Sequence, residues 1–127
     1  MHAGAGVPIE QLHIAGVVHN KATHDVLDNV GYREKYGVDN PNLPLLVALE
    51  EAGVAVYICG QSISARGVDR TEIHKSVGVG LSAMTIILSL QSDGYQLIKF
   101  WWSKFSIHNP VERTLVCRVH KPLGLVR

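Results

Sequence analysis

Two continuous apolar runs, Ile14-Ala-Gly-Val-Val-His19 and Val54-Ala-Val-Tyr-Ile-Cys59, flank a segment in which Leu45, Leu46, Leu49 and Ala52 recur at helical spacing. Short apolar runs without polar alternation suit strands covered on both faces, and a helix between two of them is the crossover that parallel strands require. Asn42 suits an N-cap, Pro44 is tolerated in a first turn, and Gly53 supplies a left-handed stop. Glu50 and Glu51 mark the wet face.

The pattern then repeats. Asp69 with Glu72 resembles a capping box, Val77 to Leu81 reads as a glycine-containing strand, and Ser82 caps a helix rich in Met84, Ile86, Ile87, Leu88 and Leu90. Gly94 ends that helix, and Tyr95 to Phe100 reads as a fourth strand. The alternation predicts an α/β fold: an open, mainly parallel sheet of four to five strands with helices on both faces, a flavodoxin-like or Rossmann-like three-layer sandwich. Between Asn20 and Asn40 the pattern weakens into short amphipathic pieces, which reads as a long connection.

At 127 residues, 46% hydrophobic and 18% charged, the chain fits one folded domain and excludes disorder over most of its length. Its two cysteines, Cys59 and Cys117, are too few for a disulfide scaffold and lack metal-ligand spacing. A reduced, cytoplasmic protein is expected. The apolar stretch 77–90 is broken by glycines and serines, so no bilayer span is expected, and residues 1–13 lack the form of a signal peptide. No GxGxxG follows the first strand and no GxxxxGK[ST] occurs, which argues against a nucleotide cofactor. Neither a cofactor nor a metal is expected.

The net charge of +1 conceals an asymmetry. Residues 1–98 hold six Lys/Arg against ten Asp/Glu, whereas residues 99–127 hold six Lys/Arg against Glu112 alone, together with both tryptophans and both phenylalanines. The chain therefore divides into an α/β domain over 1–100 and a basic, aromatic tail over 101–127. Cations spread so thinly make a poor electrostatic footprint for nucleic acid, which is not expected as a partner.

In open parallel sheets, ligands bind beyond the carboxyl ends of the strands. That rule selects His19 after the first strand, Cys59-Gly60-Gln61-Ser62 after the second, and Ser82 after the third. A right-handed crossover makes the first two strands neighbours, which brings His19 and Cys59 to one edge. Cys59 is the candidate nucleophile: residues 61–66 supply amides to its sulfur if they turn into a short helix, and Arg66 or His19 adds charge. A cysteine also packs as a small hydrophobe, and Ser82 also suits a helix cap. His24 and Asp25, one adjacent pair, read as solvated.

Three segments in order carry a family resemblance: Tyr32 to Pro44 (YREKYGVDNPNLP), Leu49 to Ser62 (LEEAGVAVYICGQS) and Leu81 to Tyr95 (LSAMTIILSLQSDGY). Together they resemble the DsrE/DsrF-like family, which is associated with intracellular sulfur oxidation and sulfur relay. The resemblance implies homo-oligomers (dimers, trimers or hexamers), and a cysteine after a strand that takes up sulfane sulfur as a persulfide and passes it on. Cys59 in CGQS occupies that position. It would act with protein donors and acceptors, supported by His19, Gly60, Gln61, Ser62 and Ser82. The tail does not match. Either it is an extension whose Thr114 to Val119 adds an edge strand, or it is sequence foreign to the family. The alternative function is a non-catalytic oligomeric module that binds a small ligand or regulates, with Cys59 structural.

Overall fold

The computed structural model describes residue 6, residues 8–99 and the backbone of residues 113–119. Among the described residues, five strands form one sheet: β1 (Leu12–Val18), β2 (Ala55–Cys59), β3 (Val77–Gly80), β4 (Gln96–Lys99) and β5 (Arg113–Val119). Their order is β3-β2-β1-β5-β4. β1 pairs in parallel with β2, and β2 with β3, while β5 runs antiparallel to both β1 and β4. β1 to β4 are therefore mutually parallel, and the sheet is the open, mainly parallel one expected.

The two core clusters show how the strands are covered. Val56, Ile58 and Val77 pack on one face with Leu46 of α2 (Leu43–Glu51) and Ile63 of α3 (Gly60–Ala65). Ala15 and Val17 pack on the other with Ile86 and Leu90 of α4 (Ala83–Ser92). Period-two alternation along β1 and β2 does this: Ile58 points to α3 while Tyr57 points to α4. Helices thus lie on both faces, and Ile58, fully buried, sits directly before Cys59.

Three local expectations change. The stretch 20–40 is built of a 3-10 helix over Asn20–Val26 and a regular helix, α1 (Asn29–Tyr36), where a long connection was expected. α1 is fixed at its ends: Asp28 Oδ1 accepts from the Gly31 N–H at 2.8 Å, and Gly37 stops it at φ 73°. Residues 33–39 are exposed, so the helix has no broad apolar stripe for periodicity to reveal. Asn42 precedes α2 as expected, but its side chain makes no capping bond. The third change concerns the tail, for which one of the two readings was an added edge strand. β5 pairs on both sides and lies inside the sheet, because β1 and β4 both offer unpaired ladders to it. The stretch with Trp101 and Trp102 lies outside the described residues.

One buried polar group ties the 20–40 stretch down. The Asn40 amide donates to the carbonyls of Leu27 (2.6 Å) and Asp25 (3.1 Å), its Oδ1 accepts from Asn42 N–H, and its own N–H donates to Asn29 Oδ1. Those bonds hold the 3-10 helix whose first residue, Asn20, reaches the site.

Candidate functional site

A cleft of ≈460 Å³ opens beyond the carboxyl ends of β1, β2 and β3. His19 and Asn20 line it after β1, Cys59, Gln61 and Ser62 after β2, and Ser82 with Ala83 after β3. Ala65, Arg66 and Met84 complete the wall. The strand-end rule thus brings together His19, Cys59, Gln61, Ser62 and Ser82. Gly60 is absent from the lining, and its place is steric. A Cβ there would lie 2.6 Å from the carbonyl oxygen of Gly80, so only glycine lets the first turn of α3 approach the end of β3.

Cys59 is a free cysteine and only 5% exposed. Burial pushes its thiol pKa up, since an anion loses hydration there. Hydrogen bonds from the Ser62 hydroxyl and from the backbone N–H groups of Ser62, Ala83 and Gln61 push it down, and the net value lies below that of an ordinary thiol. Two of these donors, Gln61 and Ser62, lie in the first turn of α3; Ala83 opens α4 from the opposite face. N-terminal helical amides have no carbonyl within their own helix to bond, so they are available to a sulfur anion.

The Ser62 hydroxyl is oriented from outside α3. The Asn20 N–H donates to Ser62 Oγ at 2.9 Å, which leaves the Ser62 proton for Cys59. Asn20 holds φ 56°, the only non-glycine residue with positive φ among those described, and Asn tolerates that conformation better than most residues. Its carbonyl accepts from Thr23 Oγ1 at 2.7 Å, and its side-chain Oδ1 accepts from Arg66 Nη2. A chain of contacts therefore runs Arg66, Asn20, Ser62, Cys59.

Ser82 acts as a helix cap. Its Oγ accepts from Thr85 N–H at 3.1 Å and lies 2.9 Å from Thr85 Oγ1. His19 is half-buried in extended backbone between β1 and the 3-10 helix. His24 is not simply solvated: its Nδ1 lies 2.5 Å from the Tyr36 hydroxyl, and the two rings meet edge-on. Burial, aided by Lys35 and Arg66, lowers its pKa. Asp25 lies beside it, half-buried. Among the described residues no cluster of three or more His, Cys, Asp or Glu is placed to hold a metal ion. Also among these, no helix is long and apolar enough to cross a membrane.

The residues that sequence reasoning missed are Asn20 and Ala83. Asn20 lies two residues after the end of β1, and Ala83 directly follows the serine cap of α4. Both signals were present, but neither shows which sulfur the amide serves.

Residues 3–100 match the family model described as DsrE/DsrF-like. The chain belongs to the DsrE/DsrF-like family. The match to this sulfur-relay family takes in β1 to β4 and every described residue that lines the cleft, while β5 lies beyond it. Neither a curated protein nor a solved structure matches the chain.

Proposed function

We propose that this DsrE/DsrF-like protein handles sulfane sulfur through Cys59, which accepts a sulfur atom as a persulfide and yields it to an acceptor thiol. The observation that carries the reading is the convergence on one sulfur of the Ser62 hydroxyl and three backbone N–H groups, which lower its pKa in spite of burial. Thiol–disulfide chemistry runs through the thiolate, so such a sulfur is primed to attack and, once persulfidated, to be stabilised as an anion. Gln61 and Ser62 serve as donors, Ser82 caps the start of α4, Gly60 lets the start of α3 approach the end of β3, and His19 lines the approach. No metal or organic cofactor takes part.

The protein works in the cytoplasm as a homo-oligomer that exchanges sulfur with donor and acceptor proteins. Met84 and Leu88 on one side of α4, with Leu81 just before its N-cap, are all exposed and support a docking surface beside the cleft. The test is intact mass after polysulfide treatment. Wild-type protein gains 32-Da increments (roughly one sulfur atom each) that thiol reductant removes, and Cys59→Ser gains none at that site. Equal uptake by Cys59→Ser overturns the reading.

A second reading rests on the 5% exposure of Cys59: a non-catalytic module in which the thiol packs and the cleft holds a small ligand. Under that reading Cys59 resists alkylation in the native state and reacts only on unfolding.

A further inference from the structure

We infer that the Cys59 cleft selects a sulfur donor bearing an anionic group, and that Arg66 is the residue that recognises it. The inference rests on the sulfur-relay reading only for the identity of the donor. The charge belongs to the cleft itself. Among the described residues that line the cleft, Arg66 brings the one permanent positive charge and none is a carboxylate.

The partner that holds Arg66 matters. Its Nη2 donates to the side-chain oxygen of Asn20, a neutral amide. A neutral acceptor fixes the guanidinium without cancelling its charge, and a guanidinium has five N–H donors, so others remain for a ligand. Arg33 shows the contrast: its Nε pairs with the Asp39 carboxylate, whose charge offsets its own. Asn20 also places Arg66 at the reacting end of the cleft, because its N–H bonds Ser62, which in turn donates to Cys59. The guanidinium and the sulfur thus sit at two ends of one short chain of contacts, with the cleft open above both.

The transfer needs such a charge. The Cys59 thiolate attacks the outer sulfur of a donor X–S⁻, forming the Cys59 S–S bond as the S–X bond breaks. X leaves with the bonding pair as an anion, and the persulfide keeps the negative charge the donor sulfur brought. With thiosulfate, a thiolate and a dianion give a persulfide anion and sulfite, so charge and electrons balance without an added oxidant. Two anions must approach each other, and Arg66 offsets that repulsion and then holds the leaving anion.

Iodoacetate and iodoacetamide consume the same thiolate, so the ratio of their rates at Cys59, followed by peptide mass, cancels thiolate fraction and leaves the effect of reagent charge. In the full chain, Arg66→Gln lowers the iodoacetate-to-iodoacetamide ratio about fivefold, whereas Arg66→Lys keeps it within about twofold of wild type. Should Arg66→Gln fail to fold, wild type in about 1 M salt shows the same fall, because the screening length shrinks to about 3 Å. A ratio indifferent to Arg66→Gln and to salt, or one that Arg66→Lys lowers as far as Arg66→Gln, overturns the inference. The relay reading fails separately, by the absence of sulfur uptake at Cys59 in a protein that still discriminates the two reagents.

Discussion

α3 and α4 reach Cys59 from opposite faces of the sheet, and they are anchored unequally. α3 follows β2 without a break and rests on the larger core cluster, around Ile58, Ile63 and Val77. α4 rests on a smaller one, with Ile86 and Leu90 against Ala15 and Val17, and leaves Met84 and Leu88 in solvent. α3 gives the sulfur a hydroxyl and two amides, while α4 gives the single amide of Ala83. The contrast teaches that the donors on the well-packed side are set by the fold, and that the fourth depends on how closely a less covered helix is held.

Core truncation tests the inequality most strongly. Ile58→Ala is expected to cost about 4 kcal/mol in chemical denaturation and Ile86→Ala about 2–3 kcal/mol, since the site around Ile86 is less enclosed. Equal losses would show that the two faces anchor their helices alike.

Next in size are the two serines. Ser82→Ala removes the α4 cap and should cost about 1 kcal/mol of stability, with a small rise in the pH at which Cys59 becomes reactive. Ser62→Ala removes a donor in direct contact with the sulfur, and should move that pH profile upward further while disturbing stability less. If Ser82→Ala shifts the profile more, α4 controls the thiol and the comparison reverses.

The smallest expected effect is on the pH dependence of stability. Cys59 and His24 both have folded pKa values below their ordinary ones, so in each case the unfolded chain binds the proton more readily. The Cys59 contribution is full above about pH 8.5 and is lost as pH falls through the folded thiol pKa. The His24 contribution is full above about pH 6.5 and is lost on further acidification. Cys59→Ser should flatten the upper limb of a stability-against-pH curve and His24→Asn the lower. A Cys59→Ser curve that keeps the upper limb would show that the thiol is not lowered.

What the sequence made legible is what local pattern encodes. Continuous apolar runs and a crossover helix identified the parallel sheet, and the strand-end rule then put His19, Cys59 and Ser82 at one edge before any side chain was placed. α1 was missed because end caps, not an apolar face, define it. The Ser62 proton could not be aimed from sequence, because the group that aims it is a backbone N–H at Asn20, forty-two residues earlier. Ala83 was invisible for a related reason: its amide meets Cys59 only through the close approach that Gly60 permits. The position of β5 is a matter of register with strands remote in sequence, which local pattern does not encode.

That position sets an order on synthesis. β1, β2 and β3 are parallel neighbours and can assemble as they leave the ribosome, whereas among the described residues β4 has β5 as its only neighbour in the sheet. β4 therefore stays unpaired until β5 has been made, and the sheet closes only when β5 pairs along β1 from Leu12↔Val119 to Val18↔Arg113. Closing so long a loop is the slow kind of folding step, and during it both β4 and the open side of β1 are available to another chain's strand.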